Sequence, residues 1–262
     1  MKRILCLLLA LLLLAGTLTA CSGGETDDWK YIRHKKTLLI GITEYSPFTY
    51  SENGGTAGFD ADLARVVCQR LKLSAEFVPV EWERKEAALE DRTVDVIWTG
   101  LTVTPARRGS MDFSRPYLVN EQCVVVKADA ASQYSGVSSF AGKKVAAAEG
   151  TAAASAVEYG MTDAVFLSVS TPANALRLVK NGEADGAVVD RSMADILTAE
   201  DRDYSDLRIL GYIPLINEEY AVGFRKGSTA VEEFNKVLEE LLADGTVAHL
   251  AGEYGLTPLV IE

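Results

Sequence analysis

Between Trp98 and Arg108 the chain reads W-T-G-L-T-V-T-P-A-R-R, and these residue types in this order can hold a small carboxylate. Val94 to Trp98 reads as a short buried strand, and Thr104-Pro105 as an N-cap followed by proline at the first helical position. Thr99, Gly100 and Thr102 then fall in the turn between strand and helix, where backbone N–H and C=O groups are free of ladder hydrogen bonds. Arg107 falls in the first turn of the helix, whose unpaired amides already favour an anion. The competing reading is an ordinary strand-to-helix junction with a solvated arginine. Further along, Ala187 to Val189 is a second apolar strand that ends in a charged residue, Asp190.

The periodicity of the chain says which elements must position these residues. Thr37 to Ile42 reads as a strand, followed by the loop Glu44-Tyr45-Ser46-Pro47-Phe48, whose two aromatics lean toward solvent. A glycine-rich turn, Asn53 to Gly58, leads to Asp60 as N-cap of an amphipathic helix with Leu63, Val66, Val67 and Leu71 on one face. A strand from Ala75 to Val80 ends at Glu81-Trp82-Glu83, and a helix from Arg84 to Glu90 returns to the strand at Val94. Strands alternating with helices predict a parallel sheet with right-handed crossovers, and such sheets bind ligands at the carboxyl ends of their strands. Tyr45, Trp82 and Thr99 to Thr102 all lie at such ends. Gln122 to Lys127 then leaves the first unit for a second set: a strand at Lys144 to Ala148, a turn at Gly150-Thr151, a helix from Ala152 to Tyr159, and a helix bracketed by Thr171-Pro172 and Asn181-Gly182. Ile209 to Phe224 is a strand-rich return, and Ser228 to Ala243 a helix with Val231, Phe234, Leu238 and Leu241 facing inward.

A chain of 262 residues suits two lobes of ordinary size. Its net charge is −11; without Lys2 and Arg3 it carries 24 basic against 37 acidic residues, or −13, which argues against nucleic acid or an anionic membrane surface as partner. Residues 1–20 read as an export signal, with a positive start at Met1-Lys2-Arg3 and an apolar stretch from Ile4 to Leu14 that is short for a membrane span. The segment closes on Leu18-Thr19-Ala20-Cys21, which resembles the lipobox of bacterial lipoproteins and makes Cys21 the expected lipidation site; residues 21–29 follow as a flexible tether. Cys6 leaves with the leader, so Cys68 and Cys123 remain, read as buried small apolar residues, although export also permits a disulfide. His34 and His249 are isolated and no metal site is expected.

Several short motifs recur in the order and spacing of one family: Pro47-Phe48, G-F-D-A-D-L from Gly58 to Leu63, T-V-T-P-x-R ending at Arg107, D-F-S-x-P-Y from Asp112 to Tyr117, G-K-K-V from Gly142 to Val145, E-G-T from Glu149 to Thr151, N-G-x-A-D-G-A-V-V-D from Asn181 to Asp190, and D-G-T from Asp244 to Thr246. On these the chain resembles the bacterial extracellular solute-binding proteins of polar amino-acid ABC importers. The resemblance implies an α/β, two-lobed periplasmic-binding-protein-like fold of type II, each lobe a mainly parallel sheet flanked by helices and joined by two crossover strands. Residues 30–119 plus 218–262 would form lobe 1, and 120–217 lobe 2.

The resemblance also implies a monomeric lipoprotein on the outer face of the cell membrane that captures a polar or charged L-amino acid between its lobes and delivers it to an ABC permease. No cofactor, metal or catalysis is expected. Carried over position by position, Arg107 takes the ligand α-carboxylate, aided by the amide of Thr102 and by the turn through Thr151 and Ala152. Asp190 takes the α-ammonium together with the Thr99 or Gly100 carbonyl and the Thr102 hydroxyl. Tyr45 and Trp82 pack on the ligand body, while Glu44 either meets a basic side chain or is merely solvated. Positions 100 and 152 are Gly and Ala where several relatives have hydroxyl residues, so backbone must serve alone there. The alternatives on this fold are a dehydratase of the cyclohexadienyl type, marked by a pocket acid or base, and an amino-acid sensor.

Overall fold

The computed structural model of the protein describes residues 27–261 apart from position 214; the leader, Cys6 and Cys21 lie outside the described residues. In chain order the elements are α1 (Asp28–Lys35), β1 (Thr37–Ile42), β2 (Tyr50–Glu52), β3 (Gly55–Ala57), α2 (Phe59–Leu71), β4 (Ser74–Pro79), α3 (Lys85–Glu90), β5 (Val96–Ile97), α4 (Pro105–Ser110), β6 (Met111–Phe113) and β7 (Leu118–Lys127). After β7 come β8 (Lys144–Ala148), α5 (Ala152–Gly160), β9 (Val165–Val169), α6 (Pro172–Asn181), β10 (Gly186–Asp190), α7 (Arg191–Leu197), β11 (Leu207–Ile209), β12 (Asn217–Tyr220), β13 (Gly223–Arg225), α8 (Ala230–Ala243) and α9 (Thr246–Glu253).

Two sheets carry the two lobes. The first runs β4-β1-β5-β13-β6 and the second β11-β7-β10-β8-β9, with β12 paired to β7. Each has a parallel trio, β4-β1-β5 and β10-β8-β9, extended by antiparallel strands. Strand β7 is ten residues long because it serves two neighbourhoods: Leu118 to Glu121 pair with β12, and Gln122 to Lys127 pair with β10 and β11. Strands β7 and β12 are therefore the two crossings between lobes. Both faces of β7 are buried beyond the crossing: Cys123 and Val125 join one apolar cluster, Val124 and Val126 another, which explains the continuous apolar run in its sequence. Cys68 and Cys123 are buried and unpaired.

Local signals explain the helix ends. Thr104, Thr151 and Thr171 each accept the amide three residues on, and Pro105 and Pro172 occupy first-turn positions. Helix α8 buries Phe234, Leu238 and Leu241, each worth about 1.5–3 kcal/mol of transfer free energy. Four expectations change. Asp28 and Trp29, expected in the tether, belong to α1, and Asp28 is fully buried. The glycine-rich turn before α2 is the tip and return of a small hairpin, β2-β3. The N-cap of α2 is Gly58, not Asp60: a Cβ at position 58 would lie 2.4 Å from the Phe48 carbonyl oxygen, and Asp60 turns inward instead. Tyr45 and Phe48 are buried rather than solvent-leaning, because the loop folds back so that their rings stack at 5.2 Å.

Asp28 is buried because it faces Arg225 on β13. The Arg225 Nε donates to Asp28 Oδ2 at 2.8 Å, Nη1 to the carbonyls of Leu89 (3.0 Å) and Val94 (2.7 Å), and Nη2 to Asp95 Oδ1 at 3.4 Å. Asp95 Oδ2 in turn accepts the Leu39 amide at 2.8 Å and pairs with Lys35 at 2.6 Å. One guanidinium thus ties α1, the end of α3, β5 and β13 together. Removing it leaves Asp28 to Arg92 (3.4 Å) and Asp95 to Lys35 and strips the buried Leu89 and Val94 carbonyls of their donor, so Arg225→Met is expected to lower unfolding free energy by about 3–5 kcal/mol. Urea denaturation measures this, and a loss below about 1 kcal/mol would show that the network does not hold the lobe.

Candidate functional site

The strand ends converge on a cavity of about 230 Å³ lined by residues of both lobes. From the first lobe come Thr43, Glu44 and Tyr45 after β1, Trp82 and Glu83 after β4, Thr99, Gly100 and Thr102 after β5, and Arg107 of α4. The second lobe adds the residues at the starts of α5 and α6, together with Glu149 and Asp190. All ten ligand-contact positions inferred from the sequence line this one cavity.

Arg107 is 8 % exposed, and its backbone amide is capped by Thr104 Oγ1 at 3.2 Å. Its Nη1 donates to the Thr102 carbonyl at 2.8 Å and its Nη2 to the Gly150 carbonyl at 3.0 Å, which leaves further guanidinium N–H donors for an anion. Burial lowers its pKa, opposed by the charges of Glu86, Glu218 and Asp190. The Trp82 Nε1 donates to the same Gly150 carbonyl at 3.0 Å, and the Arg107 guanidinium lies 5.1 Å from the Trp82 ring centre. The lobes therefore meet across the cleft at one carbonyl in a strand-end turn.

Asp190 sits at the end of β10, 9 % exposed. Its Oδ1 accepts from Asn120 Nδ2 (2.8 Å), Gln122 Nε2 (2.9 Å) and the Tyr220 hydroxyl (2.5 Å). Among the described residues no hydrogen bond reaches Oδ2. The amide of Thr102 is likewise without an acceptor there: its neighbours Val103 and Leu101 carry the bridge to β12, through Val103 N to Glu219 O (2.9 Å) and Ala221 N to Leu101 O (3.1 Å). The site thus presents one guanidinium, one free carboxylate oxygen and one free amide.

The turn that carries Thr99 to Thr102 is held from beneath. Thr99 Oγ1 bonds Thr49 Oγ1 at 2.5 Å, and the Gly100 amide donates to Asp60 Oδ2 at 2.6 Å, so only the carbonyl of Gly100 is left to serve a ligand. Residue 100 must be glycine, since its φ is +58° and a Cβ would lie 2.5 Å from the Tyr45 ring. Glu44 is exposed and accepts from the Ser51 amide and hydroxyl at 3.1–3.2 Å. Of the cavity-lining residues not singled out in the sequence, Glu83 lies next to Trp82 and Glu149 two residues before Thr151. Asn120 and Gln122 did carry a signal: polar residues two apart share one face of an otherwise apolar strand. Asp60 gave none, because a carboxylate in a first helical turn looks like a dipole partner.

Asp60 is fully buried, bonded to the Gly100 amide and to the Tyr117 hydroxyl (2.8 Å), and burial pushes its pKa up to about 7. A carboxyl raised in the folded state binds more protons folded than unfolded, so stability drains as pH rises from about 4 to about 7. Asp60→Asn, which keeps an acceptor for Gly100 and a polar partner for Tyr117, should remove that slope. The check is the melting temperature of both proteins across this range: the wild type falls relative to the variant, and parallel curves would detach Asp60 from the effect.

Residues 38–257 match the family model described as bacterial extracellular solute-binding proteins, family 3. The arginine-binding extracellular protein ArtP of Bacillus subtilis is 28 % identical over 95 % of this chain and 96 % of its own length. A probable amino-acid ABC transporter-binding protein of Haemophilus influenzae is 31 % identical over 90 % of each. A Streptococcus pneumoniae ABC uptake transporter substrate-binding protein solved with bound histidine superposes with a TM-score of 0.82 at 28 % identity, over 90 % of this chain and 99 % of that one. An ancestral amino-acid-binding protein, a precursor of cyclohexadienyl dehydratase, gives 0.79 at 28 % identity over 86 % and 98 %. With two sheets closing on a charged cleft and a family model spanning both, the chain belongs to the bacterial extracellular solute-binding proteins, family 3.

Proposed function

We propose that this protein is the substrate-binding subunit of an amino-acid ABC importer and that it clamps the backbone of an L-amino acid between Arg107 and Asp190. The observation that carries this reading is the pairing of one buried cation and one buried anion, from different lobes, on a single cavity. A zwitterion brought from water loses the hydration of both its charges, and only a site that supplies both counter-charges with aligned dipoles offsets the loss. Arg107 and the Thr102 amide take the carboxylate; Asp190 Oδ2 and the Gly100 carbonyl take the ammonium; Tyr45 and Trp82 cover the ligand. Because the two charges sit on different lobes, a ligand that bridges them favours closure, and the closed form is what a permease reads. Residues 28–119 with 218–262 form the lobe of Arg107, and 120–217 the lobe of Asp190.

The same lining favours a cationic side chain. Four carboxylates, Glu44, Glu83, Glu149 and Asp190, border the cavity against one cation, Arg107. Once Arg107 and Asp190 hold the ligand backbone, three exposed acids stand around the mouth with nothing opposite them in the lining. The arginine- and histidine-binding relatives fit this choice. Among the described residues no histidine lines the cavity, so the acid or base that the dehydratase reading needs would have to be one of these carboxylates.

A thermal-shift panel of amino acids is the first test, since a ligand at about 100 times its Kd stabilises by about 2.7 kcal/mol. L-Arginine should raise the melting temperature above L-glutamine and L-glutamate. By calorimetry with L-arginine, Arg107→Ala and Asp190→Asn should each lose about 2–5 kcal/mol, roughly thirtyfold to several-thousandfold in affinity. A loss below about threefold in both, with the fold intact by circular dichroism, would show that the amino acid is held elsewhere. We also assign Cys21 as the lipidated residue of a monomer on the outer face of the membrane. Cys21→Ser should leave the detergent phase and lose the lipid mass; an unchanged variant would refute the anchor.

A further inference from the structure

Behind Asp190 stands a second buried acid that ligand clamping does not use. Glu218 lies on β12, one of the two crossing strands, 6 % exposed. The amides that hold Asp190 also hold Glu218: Asn120 Nδ2 reaches Glu218 Oε1 at 2.5 Å and Gln122 Nε2 reaches it at 2.8 Å. Two carboxyl groups thus share the same two donors. Among the described residues the remaining oxygen, Glu218 Oε2, is buried and accepts from nothing, and Gln122 Oε1 is buried and receives nothing. As an anion Glu218 would leave a bare carboxylate oxygen beside a second carboxylate, the least favourable arrangement for two acids out of water. A proton on Glu218 removes the like charge and gives the carboxyl a hydrogen to donate, with the Asp190 carboxylate as its hydrogen-bond partner.

We propose that Glu218 is a proton-carrying positioning residue: it holds the one proton of the Asp190–Glu218 pair, leaves Asp190 as a lone anion facing the ligand ammonium, and releases its proton to solvent when a cationic amino acid binds. The proposal rests on the reading of Asp190 as the ammonium acceptor. Burial, then the Asp190 charge and hydrogen bond, push the Glu218 pKa up to about 9. The other charged groups that face the pair are Arg107 from α4, and Tyr45 and Tyr220, whose hydroxyls burial keeps neutral. Glu218 also lines a second hollow, which shares no lining residue with the ligand cavity. Its rim carries Glu121, Glu219, Arg191 and Asp195, and Arg191 is already bonded to Glu121 (3.0 Å) and Asp195 (2.9 Å). That hollow is the exit for the proton. An arriving ammonium beside Asp190 adds a positive charge next to the pair, which lowers the Glu218 pKa and expels the proton to the far side of the hinge.

Two measurements test this. In ligand-free wild type carrying 13C-labelled glutamate, one side-chain carboxyl should stay protonated at about pH 7 and titrate near 9, and it should vanish in Glu218→Gln. If every glutamate titrates in the ordinary carboxylate range, the proposal is overturned; this arm needs only the wild type, so a variant that fails to fold does not block it. Calorimetry with L-arginine at about pH 8, in two buffers of different ionisation enthalpy, counts protons. Wild type should release a measurable fraction of one proton per arginine and Glu218→Gln none, a difference that a purely structural role would not produce. Equal proton exchange in both proteins overturns the coupling. If L-arginine gives no heat with either protein while histidine or another amino acid does, the side-chain assignment falls, and the labelled-glutamate titration alone judges Glu218.

Discussion

The cost of taking opposite charges out of water governs this molecule. Arg107 and Asp190 are both more than nine-tenths buried, come from different lobes, and face one cavity. Neither could stay there on its own side chain. Arg107 is held by two carbonyls and the Trp82 ring, and Asp190 by two amides and a phenol. Each set of holders comes from the strand ends and crossings that the two-lobed fold places around the cleft. The electrostatics of the site and the topology of the sheets are thus one requirement met twice.

The same logic recurs beneath the surface of the cleft. Asp60 is buried to hold the Gly100 turn, and Arg225 is buried to hold α1 to the first sheet. In both places an ionisable group is retained where an apolar residue would cost less desolvation, because the partner is a backbone group or a second element whose position matters. Asp60 fixes the amide of Gly100, which lines the cavity. Arg225 fixes β5, the strand from which that turn departs. Stability and ligand geometry are therefore carried by overlapping hydrogen bonds, and the turn is rigid before any ligand arrives.

The crossing strands β7 and β12 join the lobes beside Asp190. Strand β7 contributes Asn120 and Gln122, and β12 contributes Glu218 and Tyr220; Asn120, Gln122 and Tyr220 bond Asp190, and Glu218 accepts from the same two amides. Asp190 is thus bonded to both crossing strands. If it takes the ligand ammonium as proposed, its change of charge acts directly on the strands that join the lobes.

Much of this was legible in the sequence. Threonine-proline pairs at 104–105 and 171–172 fix helix starts by local hydrogen bonding, and the apolar run 122–127 marks a doubly buried strand, because both effects act within a few residues. The motif order carried Arg107 and Asp190 to the cleft. Long-range burial lay beyond the reach of the sequence. Asp28 belongs to a helix because Arg225 lies 197 residues away in sequence. Asp60 turns inward because the Gly100 amide waits beneath it, and Glu218 is buried among polar groups because two strands cross there. A lone carboxylate in a sequence has the same appearance whether water or a buried amide will hold it. Only the tertiary structure decides which, since that choice depends on what is brought next to it and how completely water is removed.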